Sequence, residues 1–433
     1  MHKYIGQNFL LYFLMFLPLT FGLGIVVTEI FVFSSILFFF SKNRNYDYFK
    51  NKKILFLLTF SFYIAINGIL KIQHNDLLIP SIFHFRYVVF SISILFILDF
   101  IKDKINLEKK GITHLLFFII YLISFDALFQ FITGENILGF KIIGSRVSGI
   151  FESELILGSF LIKILPLILW LLFYINFNLK KNFLFLICFF SLYFICIYIS
   201  GERTAFVSLF ILLFFLIIFI TEIRAIFLLS LSILILFIGL TSFFNIGKAD
   251  TFNRIFIKTF NQVTNHLYID KKDLSQKDKQ ALSSQNISKN IKIFSTDHNG
   301  HYVLAYHLFT QQPIFGAGPR GFRNYCRSVK FDSKIGICTT HPHNTLLQIL
   351  SETGIVGLIF YLYGIFFVMI KAWKAQRKSL ILSEKSCFTI ISISLLINLF
   401  PFLPSGNFFN NWVSINNYYF LGLYLYSYKR VYK

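Results

Sequence analysis

Two histidines stand in the run His341-Pro342-His343-Asn344, where a long polar stretch gives way to an apolar one that continues to Ile370. An imidazole titrates near neutrality, so a histidine at such a boundary can take a proton from a hydroxyl. Asn344 is a helix-capping residue type, which fixes His343 relative to the helix that follows, and Pro342 restricts the backbone of His341. Gln348 and Glu352 come next at i, i+4 spacing, so they share a helix face, with Asn344 on roughly the same side. A carboxylate inside an apolar helix is costly and marks a candidate site. Two arginines lie at the ends of other apolar runs. Arg146 stands in Gly144-Ser145-Arg146-Val147-Ser148-Gly149-Ile150-Phe151, and Arg203 in Ser200-Gly201-Glu202-Arg203-Thr204-Ala205-Phe206. A guanidinium stays charged when partly desolvated and offers paired donors that match a phosphate. A base together with phosphate-binding cations equips a protein for attack of a hydroxyl on a centre whose leaving group is a phosphate. The plainer readings are a capped helix with two solvent-facing histidines, and arginines that anchor helix ends at lipid headgroups.

The elements that must hold these residues are membrane helices. Of the 433 residues, 56% are hydrophobic and only 14% charged, and the mean hydropathy is +0.68. No soluble domain needs that much apolar surface. The net charge of +21 would point to nucleic acid in a soluble protein. Here the basic residues fall in short loops between apolar runs, which is a topology signal, and no nucleic-acid partner is expected. Phe9 to Phe40 is too long for one crossing and is interrupted by Pro18, Gly22 and Gly24, so it reads as a helical hairpin and not as a cleavable signal peptide. Further spans are expected at 53–70, 80–100, 113–132, 155–176, 182–200, 204–220 and 224–241. After a polar stretch, 242–344, come 345–370, 386–403 and 412–428. The fold class is therefore all-α and polytopic, with about twelve transmembrane helices and a large loop between helices 9 and 10. The chain divides into helices 1–9 (1–241), the loop (242–344) and helices 10–12 (345–433).

With this count every basic loop falls on the side of the two termini: Lys42 to Lys53, Lys102 to Lys110, Lys180 and Lys181, Lys371 to Lys385, and Lys429 to Lys433. The positive-inside rule makes that side cytoplasmic, and it puts 242–344 with His341 and His343 outside. Glu29, Arg86, Asp126, Glu154, Lys163 and Glu352, with Asn67 and Asn398, fall in the outer halves of spans. Charges at one depth in several helices imply a shared cavity opening outward; separate ion pairs are the simpler alternative. In the loop, Thr251 to Val263 reads as a helix lying on the membrane surface, and Lys271 to Asn290 as flexible. Pro313-Ile314-Phe315-Gly316-Ala317-Gly318-Pro319-Arg320-Gly321-Phe322 lacks the ending of a phosphate-binding loop and reads as a Gly/Pro turn against the membrane.

The Arg-Val-Ser-Gly-Ile-Phe, Gly-Glu-Arg-Thr-Ala-Phe, Pro-Ile-Phe-Gly-Ala-Gly-Pro-x-x-Phe and His-Asn…Glu-x-Gly-x-x-Gly segments, in this order, resemble the O-antigen ligase and O-antigen polymerase superfamily of bacterial envelope glycosyltransferases. The resemblance covers about 140 to 360 and implies a GT-C-like fold in the bacterial inner membrane. It implies no cofactor and no metal, and an active site facing the periplasm. It implies an undecaprenyl-diphosphate-linked glycan as donor and lipid A core or another glycan as acceptor. His343 matches the superfamily's catalytic histidine, with His341 and Glu352 in support. Arg203 matches its arginine after the short outer turn, and Arg146 is the second diphosphate candidate. Many members carry an arginine in the loop helix where this chain has Asp297-His298-Asn299-Gly300-His301, which leaves His298, Arg320 and Arg323 as candidates for that role. Cys326 and Cys338 lie in the loop, and in an oxidising envelope compartment a disulfide between them is expected. Cys188, Cys196 and Cys387 read as packing residues. A lipid-linked oligosaccharide flippase is the rival class, disfavoured by charges clustered away from the midplane and by the lack of an internal repeat. A nonenzymatic envelope scaffold is disfavoured by the clustered titratable residues.

Overall fold

A computed structural model describes residues 2–43, 47–102, 110–261, 296–328, 337–400 and 403–432. Among these, fifteen α-helices and no strand form, and the chain is an all-helical polytopic membrane protein. The helices are α1 (His2–Phe16), α2 (Ile25–Lys42), α3 (Lys52–Lys71), α4 (Asn75–Ile82), α5 (Phe85–Lys102), α6 (Lys110–Thr133), α7 (Leu157–Tyr174) and α8 (Phe183–Ile199). They continue with α9 (Arg203–Phe219), α10 (Thr221–Phe243), α11 (Thr296–Gln311), α12 (Gly321–Arg327), α13 (Thr345–Gln376), α14 (Leu382–Asn398) and α15 (Asn411–Val431). Seven spans are long and apolar enough to cross a membrane; Phe9–Leu23, Phe183–Ile199 and Arg203–Phe219 are apolar but shorter.

The centre is built from α5, α7, α8, α14 and α15, which pack α15 on α5, and α14 on α7 and α15. Trp170 is fully buried there and donates to Ser427 Oγ at 3.2 Å. The outer helices keep large apolar side chains exposed, among them Phe214, Leu236 and Phe243. That is the pattern for helices facing lipid, where apolar surface is not driven inward. The basic residues of separate loops meet at one end of the bundle. Lys429 pairs with Asp99 at 2.7 Å, Lys53 lies over Tyr428, and Lys371 and Lys378 lie over Tyr432. His343 precedes the first residue of α13 and Lys371 lies in its last turns, so that helix carries the two sets to opposite ends.

The charges expected to share a cavity separate into several groups. Glu29 pairs with Arg86 at 2.8 Å. Asp126 accepts from Asn136 Nδ2 at 3.1 Å and Ile137 N at 3.0 Å, and so holds the loop after α6. Glu154 lies outside α7 and is exposed. Lys163 and Asn398 line a common cavity.

α13 is broken at Gly354, whose φ of 63° and ψ of −164° belong to a region essentially reserved for glycine. The break frees backbone groups at membrane depth, and these need partners from elsewhere in the protein. The Pro313–Ala317 segment supplies them. Ile355 N donates to Pro313 O at 2.9 Å, Val356 N to Ile314 O at 3.3 Å, and Ala317 N to Ser351 O at 2.9 Å. Tyr63 Oη donates to Thr353 O at 2.6 Å and Asn67 Nδ2 to Phe315 O at 2.6 Å. The glycine-rich segment is thus an insert in a broken helix as well as a turn at the surface. A methyl group on Gly354 would come 2.3 Å from Ile314 O. Gly354→Ala should therefore destabilise the fold by about 1–3 kcal/mol from backbone strain, before the clash is counted. A thermal melt of the purified variant in detergent checks this, and an unchanged midpoint would contradict it.

Candidate active site

The site residues gather in three groups. The first is a cluster of four histidines. The ring of His343 lies 4.0 Å from that of His341, 5.4 Å from His301 and 5.6 Å from His298, centroid to centroid. His301 and His298 come from α11, which packs along α13. His341 is committed to structure: its Nε2 donates to Ser405 O at 3.2 Å, and its Nδ1 accepts from Thr340 Oγ1 at 2.9 Å. His301 donates from Nδ1 to Ile337 O at 2.9 Å. No hydrogen bond with the described residues occupies the ring of His343. Its backbone is left-handed, with φ 57°, a conformation that persists only where the surroundings impose it. Three contacts do so. Ser405 N donates to His343 O at 3.0 Å, Asn344 Oδ1 caps Leu347 N at 3.0 Å, and Asn344 bridges to Pro404.

Burial first, and then the neighbouring His301 and His298, push the His343 imidazole down to about 4. Burial and His343 push His341 down to about 3. Both rings are therefore neutral at pH 7, as a proton acceptor must be. The rings meet tilted and edge-on; among the described residues no three His, Cys, Asp or Glu side chains are arranged to hold a metal ion.

Cys326 and Cys338 are disulfide-bonded with Cα atoms 5.6 Å apart, so the end of α12 is tied to the segment that leads into His341. Replacing both by serine should cost about 3 kcal/mol in the chain-entropy model. It should also loosen the histidine turn, because the link lies three residues from His341. Unreduced peptide mapping and thermal melts of the double variant check both parts. Free thiols after purification in air, or an unchanged midpoint, would count against them.

The second group is arginine. The loop carrying Arg146 is held by α6, where Gln130 Oε1 accepts from Ser148 N at 3.1 Å and Gly149 N at 2.7 Å. Arg146 donates to Leu155 O and lies 3.7 Å from Glu202. Arg203, at the first residue of α9, donates from Nε to Arg254 O at 3.1 Å, and Arg254 Nε donates to Gly201 O at 2.9 Å. Gly201 has φ +66°, and a methyl group there would meet Ser145 O at 2.8 Å and side-chain carbons of Arg146 and Arg254 at 3.2 Å. Only a glycine lets the three arginines close on this turn. The one carboxylate among them is already used. Glu202 Oε1 accepts from Gly158 N at 2.7 Å and Ser159 N at 3.2 Å, and Oε2 from Ser159 Oγ, at the N-terminus of α7. The group thus keeps an excess of positive charge.

The third group surrounds Glu352, which is fully buried. Its oxygens accept from Phe322 N at 3.1 Å and Gln348 Nε2 at 3.0 Å. Gln348 Nε2 also reaches Asn407 Oδ1 at 2.8 Å, and Asn407 Nδ2 lies 3.4 Å from Thr340 O. Glu352 is therefore linked through Gln348 and Asn407 to the residue beside His341, and contacts neither His341 nor His343 directly. Arg320 belongs to this group. It donates to Phe409 O at 2.7 Å, and its charged neighbours include Glu352, Arg323 and Arg86. His298 lies with His343 and not with the arginines.

Between the histidine turn and the arginine turn lies a cavity of about 130 Å³. Its walls include Thr204, next to Arg203, and Thr345 and Ser405, next to His343. The residues missed from sequence are Arg254, His301 and the 403–410 loop. Arg254 was legible only as a basic residue on a surface helix, and its approach to Arg203 spans 51 residues of chain.

Residues 186–362 match the O-antigen ligase family model. Over these residues the chain is similar to the O-antigen ligase family, in line with the resemblance read from the sequence. The matched stretch is somewhat under half of the chain. It contains Arg203, Arg254, His298, Cys326, Cys338, His343 and Glu352, while Arg146 precedes it. No curated protein matches the chain. The match supports an enzyme of the ligase or polymerase type, with lipid-linked glycan substrates in general.

Proposed function

We propose that the protein is an O-antigen ligase-like glycosyltransferase of the bacterial inner membrane. It transfers glycan from an undecaprenyl-diphosphate-linked donor to lipid A core on the periplasmic face, with both termini cytoplasmic. The observation that carries this reading is His343: a neutral, uncommitted imidazole held in a left-handed backbone, with three clustered arginines beside Thr204, which lines one cavity with Thr345 and Ser405.

His343 takes the proton of an acceptor hydroxyl as its oxygen attacks the anomeric carbon. The bond from that carbon to the diphosphate oxygen breaks, and the electron pair leaves with undecaprenyl diphosphate. Arg203, Arg254 and Arg146 hold the charge that develops on it. Single-step displacement inverts the anomeric centre, and none of these steps uses a metal. An arriving diphosphate near the histidines raises the His343 imidazole towards the working pH, which improves the base. Glu352, Gln348 and Asn407 keep the histidine turn in place, and Glu352 acts through them. Arg320 and His298, also diphosphate candidates by sequence, serve here as supports of the Glu352 network and of the His343 ring.

A polymerase, which joins lipid-linked repeat units, would use the same chemistry with a different acceptor. Deleting the gene and running the lipopolysaccharide on a gel separates the two. Loss of all glycan from the core is the ligase result. A core that retains one repeat unit would make the protein a polymerase, and an unchanged pattern would remove both readings.

A further inference from the structure

The cavity between the two turns contains a lysine that the proposed chemistry does not use. Lys163 lies in the second turn of α7, and its neighbours on the wall include Ser208, Asn398 and Asn417. Among the described residues no carboxylate lies within 4.0 Å of its ammonium group. Among the described residues Glu202 is the acidic group that acts on it electrostatically, and both oxygens of Glu202 are engaged at the start of α7. A second donor on the same wall is also unmatched: Asn398 Nδ2 is buried and has no hydrogen-bond partner. A desolvated ammonium and an unmatched amide N–H are each costly without an acceptor. Both facing one cavity call for an anion with several oxygens. A single water needs about 10–15 Å³ of such volume, so about 130 Å³ admits a small polyatomic anion. The charge nearby agrees: Lys163, Arg146, Arg203 and Arg254 stand against Glu202.

We infer that this cavity receives a phosphate-type oxyanion, with Lys163 and Asn398 as its ligands, and that the anion is the diphosphate end of the lipid-linked donor. The inference rests on the transferase reading and extends it. The leaving group is gripped from the membrane side by Lys163 as well as from the turn side by the arginines. Lysine suits the deeper position, since it binds phosphate as a point charge on a flexible stem.

The test is titration of the purified full-length protein in detergent with undecaprenyl diphosphate, inorganic diphosphate and undecaprenol. Wild-type protein, Lys163→Met, Asn398→Leu and Arg203→Ala are compared. Lys163→Met should bind undecaprenyl diphosphate about 10- to 100-fold more weakly, the loss expected for one charged hydrogen-bonding partner. Asn398→Leu should bind it several-fold more weakly, and undecaprenol binding should not change. Lys163→Met should melt no lower than wild type without ligand, because it removes an uncompensated charge. If it does not fold, Asn398→Leu alone decides. Wild-type affinity in the Lys163 or Asn398 variant, with affinity lost in Arg203→Ala, would overturn the inference and leave the transferase reading standing. Weakened binding of inorganic diphosphate alone would show a free anion and not the lipid headgroup. Failure of the wild type to bind undecaprenyl diphosphate would overturn both.

Discussion

His343→Gln should lower the transfer rate by about 100- to 10,000-fold, the usual contribution of a positioned base. Glutamine keeps hydrogen-bonding capacity and similar bulk but cannot take the proton. His343→Ala should fall by a similar factor. His341→Ala should cost less, because His341 bonds Ser405 O and Thr340 and so supports the turn. The pH profile gives an independent readout. The imidazole of His343 is held down to about 4, so the rate of the free enzyme should stay flat from pH 7 to about 5. It should fall tenfold per unit below about 4, as the base becomes protonated. An unperturbed histidine would begin this fall near 6.5. Protonation is easier in the unfolded chain than at the folded site, so the fold itself also loses stability as pH drops from 6.5 towards 4. Recovery of activity on return to pH 7 separates titration of the base from unfolding. Near-normal rate in the glutamine variant would shift the whole reaction onto the arginines and substrate positioning.

Arg203→Lys should lose roughly 100-fold in rate even though the charge is kept, comparable to removing one donor from a preorganised anion site. The reason is geometric. Arg203 uses Nε to hold Arg254 O, which fixes the guanidinium plane. A lysine has one nitrogen and cannot both hold Arg254 O and offer paired donors to a phosphate. Arg254→Ala should weaken the donor to a similar degree, because Arg254 in turn holds Gly201 O. The double variant should lose less than the product of the two single losses, since the pair acts as a unit. Normal activity in Arg203→Lys would make Arg203 an anchor at the headgroups.

Much of this was legible in the sequence because the signals are local. Apolar runs near 20 residues placed the helices to within a few positions, and the basic loops gave a consistent alternation. His343 stands out as a candidate from its place before a capping asparagine, and Asn344 does cap the helix that follows. The shared face of Gln348 and Glu352 follows from helix periodicity and appears as their 3.0 Å hydrogen bond. The parts that were not legible depend on distant pairing. Nothing local marks Ser405 and Asn407 as partners of the histidine turn, or Pro313–Ala317 as the insert that completes the break at Gly354. Arg254 looked like part of a surface helix, and only the fold brings it to Arg203. The expectation of one shared charged cavity was too simple, because Glu29 with Arg86, and Asp126 with Asn136, are satisfied where they stand.

The central claim is that this chain alone moves a glycan from a lipid diphosphate to an acceptor hydroxyl. The most direct test is purified protein in liposomes with undecaprenyl-diphosphate-linked glycan, lipid A core acceptor and a metal chelator. The expected result is formation of the glycosylated core, inversion at the newly joined anomeric carbon, and release of one undecaprenyl diphosphate per transfer. Donor that remains intact in the presence of acceptor, or transfer with the anomeric configuration retained, would contradict it.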